Sequence, residues 1–419
     1  MEKPSNLPID LREVAAEETT IREALQRGVA ELLPNARTLE QQMRDQRIKL
    51  YLGIDPTSPD LHIGHTVPLR KLRHFQDLGH EVVLLFGTFT GMIGDPTDKS
   101  AGRVRLTPEQ VAHNVATYAQ QAGKILDLSP DSANPITIAY NHDWLGKMNF
   151  AEVVDLMSNV SAQQMLERSM FKGRVAEGRP VWLHELVYPL MQGWDAVALG
   201  VDLEVGGRDQ TFNMLVGRDL VRKYQDREMW VMALKLIEDP DGKKMGKTEG
   251  NIVNVESLPE IKYESIMTWP DAAIPLGFEL LTTIPLDQTF IVDEILQDKS
   301  INPYEFKRAL AFRVVADIDG VEAAKLAESE YEWVYRQKEL PHRLSTVAVS
   351  PNTNLSRALL ESGLVRDEIE AQLKLKEGAV YVNLQPQRSD SVITDSELVL
   401  QLGRRTIKNA RRIIIESKE

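Results

Sequence analysis

Asp55-Pro56-Thr57-Ser58-Pro59-Asp60-Leu61-His62-Ile63-Gly64-His65 follows directly on an apolar run, Leu50 to Ile54, and leads into an amphipathic segment. A strand that turns into a helix presents unpaired backbone N–H groups at the turn, where an anion is favoured. Pro68 suits the first turn of that helix, where a missing N–H costs little. The pattern predicts a helix from about His65 to a stop at Gly79. Gly64 lets a ligand approach the backbone closely, and His62 and His65 flank it, facing developing negative charge. The stretch therefore reads as a βα turn that handles ATP. Two other readings of the histidine pair stay open: buried structural histidines, or metal ligands, which need a third partner. His184-Glu185, the other suggestive pair, lacks the second histidine of a zinc helix.

On either side of this turn, short apolar runs alternate with helical patterns through the first 240 residues. Lys49–Ile54, Val82–Phe89, Ile136–Tyr140, Asp202–Val205 and Val231–Ile237 read as strands. Pro108–Leu126, Phe150–Asn159 and Gln210–Lys223 read as amphipathic helices. Strand–helix alternation predicts an α/β fold, a Rossmann-like parallel sheet with ligands at the carboxyl ends of its strands. The long connection between the third and fourth strands predicts a helical insertion. From about Glu256 to Glu339 the strand patterns stop, and Pro303–Ala316 and Gly320–Arg336 carry a helical period. Pro341–Asn354 is a linker candidate, and a small unit with a strand-like Ala379–Asn383 follows. The expected domains are a catalytic domain over 1–240, a helical domain over 241–345 and a small α+β domain over 352–419.

The chain has 419 residues, no cysteine and a net charge of −13. Lack of cysteine excludes disulfides and thiolate metal sites and fits a reducing compartment. The first thirty residues hold no apolar signal-peptide core, and no run of 18 apolar residues predicts a membrane span. The acidic balance argues against broad binding to nucleic acid. The last twenty residues reverse it, with Arg404, Arg405, Lys408, Arg411, Arg412 and Lys418 against Glu416 and Glu419. This basic tail predicts either one dedicated anionic partner or a solvated helix face.

Three further stretches carry chemistry. Lys243-Lys244-Met245-Gly246-Lys247-Thr248 follows the turn Asp239-Pro240-Asp241-Gly242, and lysines on such a loop can neutralise a departing pyrophosphate. Tyr188, Gln192 and Asp195 lie at i, i+4 and i+7, one face of a helix. A buried carboxylate there needs partners, so the stripe suits a small molecule with an amino group and a hydroxyl. Gly206-Gly207-Arg208-Asp209-Gln210 follows a strand, and Asp209 could accept from ribose hydroxyls. A P-loop is excluded, because Gly94-Asp95-Pro96-Thr97-Asp98-Lys99-Ser100 has Asp98 where glycine belongs.

Taken together, these residues resemble a bacterial-type tyrosyl-tRNA synthetase, a class I aminoacyl-tRNA synthetase. His62-Ile63-Gly64-His65 matches the HIGH signature, Lys244-Met245-Gly246-Lys247-Thr248 looks like the KMSKS loop, and Gly207-Arg208-Asp209-Gln210 resembles the GxDQ element. The resemblance implies that Tyr51 and Asp195 bond the substrate phenol. Tyr188, Gln192, Asp95 and Thr90 would hold the α-ammonium group, with Asp55 nearby. Thr57 and His62 would stabilise the pyrophosphate, and His65 would sit by the ATP with Gly53, Gly64 and Gln210. Lys99, Arg103, Lys244 and Lys247 would be mobile-loop contacts to the leaving group, and Gly207 and Asp209 would hold the ribose.

The resemblance also implies L-tyrosine, ATP with its Mg2+, and tRNA(Tyr) as partners, no metal ligand set in the protein, a homodimer and a cytoplasmic location. Leu355 to Ile415 resembles an S4 RNA-binding domain, although Glu361, Asp367, Glu368 and Glu370 make its first helices more acidic than an RNA face suggests. Trp194 stands where many relatives carry tyrosine. Rival readings are a tryptophanyl-tRNA synthetase, a small-molecule nucleotidyltransferase, and an RNA-binding protein on an inactive synthetase scaffold.

Overall fold

The computed structural model describes residues 11–12, 19–96, 106–237, 253–298, 300–404 and 406–415. These fall into two compact units that do not follow chain order. One comprises Ala15–Glu256 and Ala272–Ile301, the other Met1–Val14, Ser257–Asp271 and Asn302–Glu419.

The first unit is built on a six-stranded sheet of β1 (Val29–Leu33), β2 (Lys49–Ile54), β3 (Glu81–Phe86), β4 (Thr137–Tyr140), β5 (Leu203–Gly207) and β6 (Trp230–Leu234). Their order is β1-β6-β5-β2-β3-β4. All neighbours run parallel except β1, which pairs antiparallel with β6. The central strands are buried along nearly their whole length, which is why they read as continuous apolar runs rather than alternations. β1 has no such signature in the sequence analysis. Its Val-Ala-Glu-Leu-Leu segment is half exposed at the sheet edge.

Chain order runs outward from β2 through β3 to β4, then returns to β5 and β6 on the other side. β2 and β5 are thus the topological switch point, where open α/β sheets place their ligands. They pair only at Leu50↔Leu203 and Tyr51↔Glu204, and beyond that pair they separate. The connection between β4 and β5 is the predicted helical insertion, ending in the helix Leu183–Leu199 with Gly200 left-handed at its C-cap. That helix packs on Thr211–Gln225 where Gly193 meets Gly217. A β-carbon on Gly193 would lie 3.0 Å from the Gly217 nitrogen.

Helices Ile274–Leu281 and Leu286–Gln297 belong to this unit, tied to its N-terminal segment. The Arg27 guanidinium donates to the carbonyls of Glu279 and Ile284, and Lys235 pairs with Glu279 at 2.8 Å.

The second unit has helices Pro259–Met267, Tyr304–Asp319 and Val321–Glu332, then a five-stranded sheet. Its strands are β7 (Thr346–Val349), β8 (Val380–Val382), β9 (Gln385–Gln387), β10 (Glu397–Leu402) and β11 (Ala410–Ile415), ordered β7-β11-β10-β8-β9. Helices Leu355–Glu361 and Glu368–Glu377 cover one face through Leu355, Leu359, Leu375, Leu400 and Ile413. Two expectations need correction. The linker candidate contains β7, held by parallel pairing with β11. The basic tail is no helix face: Arg411 and Arg412 lie in β11, where Arg411 donates to the Lys408 carbonyl and Arg412 pairs with Glu397. Arg405, Glu416, Lys418 and Glu419 lie outside the described residues.

Candidate active site

Where β2 and β5 part, a cleft of about 270 Å³ opens at the carboxyl ends of the strands. Tyr51, Gly53, Asp55, His62, Gly64, His65, Thr90, Asp95, Tyr188, Gln192, Asp195, Gly207, Asp209 and Gln210 all line it. Thr57 does not. It sits half-buried on the loop between Asp55 and His62, its N–H turned onto the Asp55 carbonyl at 2.8 Å. Lys99, Arg103, Lys244 and Lys247 lie outside the described residues.

At the mouth, Ile63–His65 form one tight turn that runs into the helix Thr66–Asp77. The His62 N–H donates to His65 Nδ1 at 3.1 Å, and the two rings stack with centroids 3.8 Å apart. With Nδ1 accepting, the neutral His65 ring carries its proton on Nε2, a donor suited to a phosphate oxygen. The turn is tied to the segment 253–255. Ile63 N–H donates to the Val253 carbonyl at 2.9 Å, Val255 N–H to that of Leu61 at 2.8 Å, and Asn254 Nδ2 to Asp60 at 3.2 Å.

The middle of the cleft is acidic. Asp55 accepts from Thr90 Oγ1 and from the Tyr188 hydroxyl, both at 2.7 Å. Burial pushes its carboxyl up to about 6, against the pull of those two donors, and the charge of Asp95 adds to the rise. This crowding requires Gly87, since a β-carbon there would lie 1.9 Å from Asp55 Oδ1. Asp95 accepts from Gln210 Nε2 at 2.6 Å. Burial, then the neighbouring Asp55 and Asp95, hold the Tyr188 hydroxyl well above its usual range.

At the deep end Asp195 is 3% exposed and accepts from the Trp144 indole at 2.7 Å and from Asn141 Nδ2 at 3.2 Å. Burial raises its carboxyl well above the usual range, the two donors oppose the rise, and Glu204 and Asp55 add to it. Tyr51 is fully buried beside it. Burial, then Glu204 and Asp195, raise its hydroxyl well above the ordinary value. Asn141, Trp144, Glu204 and Gly87 join the site without having been expected from the sequence. The Asn141 side chain donates to Thr90 Oγ1 and to Asp195, and its Oδ1 accepts from Phe89 N–H at 2.8 Å. A signal existed for two of them: Asn141 directly follows a strand, at the end where such sheets bind ligands, and Glu204 is a lone acid within an apolar strand.

The described lining carries Asp55, Asp95, Asp195, Glu204 and Asp209 against Lys235, which is already paired with Glu279. Such a cleft seeks a cation at its centre while its mouth offers two imidazoles to an anion. Among the described residues no group of three or more His, Asp or Glu is placed to hold a metal ion.

The family description "tRNA synthetases class I (W and Y)" matches residues 43–336. The chain belongs to this class I synthetase family. Among relatives of this W-and-Y synthetase is the tyrosine–tRNA ligase of Moorella thermoacetica, 39% identical over 391 residues, covering 91% of this chain and 93% of that protein. Another is that of Thermotoga maritima, 39% identical over 386 residues, covering 91% and 94%. Solved structures share the synthetase fold. A C-terminally truncated mitochondrial tyrosyl-tRNA synthetase from Aspergillus nidulans superposes with a TM-score of 0.62 at 23% identity, covering 76% of this chain and 95% of its own. The tyrosyl-tRNA synthetase complexed with L-tyrosine from Archaeoglobus fulgidus gives 0.57 at 20% identity, covering 74% and 98%.

Proposed function

We propose that this synthetase activates L-tyrosine with ATP and transfers the tyrosyl group to the 3′ end of tRNA(Tyr). The observation that carries the reading is a single cleft with a tyrosine hydroxyl and a buried carboxylate at one end, an acidic middle and two histidines at the mouth. Tyrosine matches it end to end. Its phenol donates to Asp195 and accepts from Tyr51, and its ammonium group lies among Asp55, Asp95, Thr90, Tyr188 and Gln192. Its carboxylate is left facing the mouth.

In the first step a carboxylate oxygen forms a bond to the α-phosphorus of ATP, and the bond from that phosphorus to the bridging oxygen breaks. Pyrophosphate leaves and tyrosyl-adenylate stays bound. In the second step a hydroxyl of the terminal ribose attacks the acyl carbon and AMP departs. No side chain need form a covalent intermediate, so catalysis is positioning plus charge stabilisation. His62 and His65 serve that charge, with Thr57 on the adjoining loop; Lys99, Arg103, Lys244 and Lys247 are read as further contacts to the leaving group. Gly53, Gly64, Gly207, Asp209 and Gln210 give the nucleotide its backbone approach and ribose acceptors. Mg2+ arrives with ATP as part of the substrate.

The helical domain and the S4-like domain of residues 352–419 are assigned to the tRNA, and the reaction to the cytoplasm. The chain is read as a homodimer, supported by an apolar patch on the helical insertion. Phe150, Val154 and Met157 share one face of a helix, and Phe150 and Leu183 are 83% and 80% exposed. Sedimentation equilibrium on Phe150→Asp should show a monomer where the parent is a dimer.

The deciding experiment is amino-acid-dependent exchange of labelled pyrophosphate into ATP, with tyrosine, tryptophan and phenylalanine in parallel. Exchange with tyrosine alone is expected. Exchange with tryptophan would move the substrate to the other amino acid of the family, and no exchange at all would overturn the reading.

A further inference from the structure

Glu204 stands opposite Tyr51 in the last pairing before β2 and β5 separate, and only 2% of it is exposed. Its Oε1 accepts from Gln192 Nε2 at 3.0 Å. The Gln192 oxygen accepts from Asn213 Nδ2 at 2.9 Å, and the same Asn213 nitrogen donates to Gln210 Oε1 at 2.9 Å. Gln210 Nε2 in turn donates to Asp95. A carboxylate therefore stands at each end of a chain of three amides. Carboxylates only accept when ionised, so each end demands an NH2 group, and the two runs of donors diverge from Asn213. That residue spends its donors in both directions, and its Oδ1 has no hydrogen-bond partner among the described residues. The Tyr51 hydroxyl lies beside the Glu204 carboxylate and interacts with it, and it also points at the Gln192 backbone carbonyl at 3.4 Å.

We propose that Glu204 is a positioning residue for the amino-acid substrate: it locks the Gln192 side chain with its NH2 inward, so that its carbonyl oxygen serves the substrate ammonium. This inference rests on the tyrosine reading of the cleft. An amide reversed at Gln192 would set oxygen against oxygen at Glu204 and offer N–H to a cation. The Gln192 oxygen has two lone pairs, of which Asn213 uses one. An apolar residue at 204 would leave both orientations open, and the ammonium would have to select the competent one.

The test compares the parent enzyme with Glu204→Leu and Glu204→Gln. It is run in alkaline buffer, above the value of about 7 to which burial pushes the Glu204 carboxyl. Two competitive inhibitors of tyrosine-dependent exchange serve as probes: tyramine, which keeps the ammonium, and 3-(4-hydroxyphenyl)propanoate, which lacks it. E204L should weaken tyramine and raise the tyrosine KM by roughly fivefold to tenfold, the worth of about one hydrogen bond. The propanoate inhibition and kcat should hold within about twofold. E204Q, which keeps an oxygen for Gln192, should restore tyramine binding. Should E204L not fold, the near-isosteric Asn213→Leu removes the pivot's donors without adding a charge and should give the same selective loss. Equal weakening of both probes, or of neither, would overturn the role of Glu204. A parent enzyme showing no tyrosine-dependent exchange would instead overturn the substrate reading.

Discussion

The Trp144 indole nitrogen donates to Asp195 Oδ1 at 2.7 Å, from a short helix just beyond β4 to the middle of the helix Leu183–Leu199. Asp195 is thereby aimed before substrate arrives. Trp144→Phe keeps an apolar ring and removes only the donor. A hydrogen bond to a charged group contributes about 1.5–3 kcal/mol, so we expect kcat/KM for tyrosine to fall by roughly tenfold to a hundredfold. The preference for tyrosine over phenylalanine in pyrophosphate exchange should narrow with it. Unchanged discrimination would show that Asn141 alone holds Asp195.

Asp55 links pH to both binding and stability. Its carboxyl, facing Thr90, Tyr188 and Asp95, is raised to about 6 in the folded protein from an ordinary 3.8. The folded state then holds this proton more tightly than the unfolded chain. The stabilisation is complete below about 4 and is lost as pH rises through about 6, amounting to about 3 kcal/mol. Asp55→Asn should therefore raise the melting temperature at pH 8 while weakening tyrosine. In the parent, tyrosine KM should climb as pH falls through about 6, because protonation removes the charge facing the ammonium. A flat KM between pH 5 and pH 8 would argue against that contact.

His62→Ala removes one donor from the mouth of the cleft and leaves the deep end intact. Loss of a single donor to transition-state charge typically costs about 10²–10³ in rate. We expect a fall of that size in the rate of adenylate formation, with tyrosine binding measured by equilibrium dialysis little changed. An unaltered single-turnover rate would remove His62 from the chemistry.

Gly87→Ala should abolish tyrosine binding, because its methyl group would occupy the position of the Asp55 carboxylate. Circular dichroism and thermal unfolding would separate this local effect from global misfolding. Retained exchange activity would mean that Asp55 can relocate without loss.

Much of this architecture was legible because the determining signals are local. Lys49–Ile54 reads as a strand to the residue, since both its faces are covered, and Tyr188, Gln192 and Asp195 declare one helical face by spacing alone. β1 escaped because an edge strand needs no continuous apolar run. β7 escaped because pairing with β11, far along the chain, turns a Pro- and Ser-flanked stretch into structure. Asn141, Trp144 and Gly87 owe their roles to neighbours brought close only by the sheet and its helical insertion. No periodicity could announce them.

The close contact of Gly193 with Gly217 gives the substrate pocket a floor that is adjustable from behind. A β-carbon at 217 would come to 3.1 Å from Glu204 Oε2 and 3.3 Å from the Gly193 backbone, pressing the carboxyl forward by a few tenths of an ångström. Residue 217 is not in the cleft lining, yet its size bears on how deep a side chain the cleft admits. An engineer seeking a synthetase for shorter or longer aromatic amino acids would find there an adjustment made from outside the lining, transmitted to the cleft through Glu204 alone.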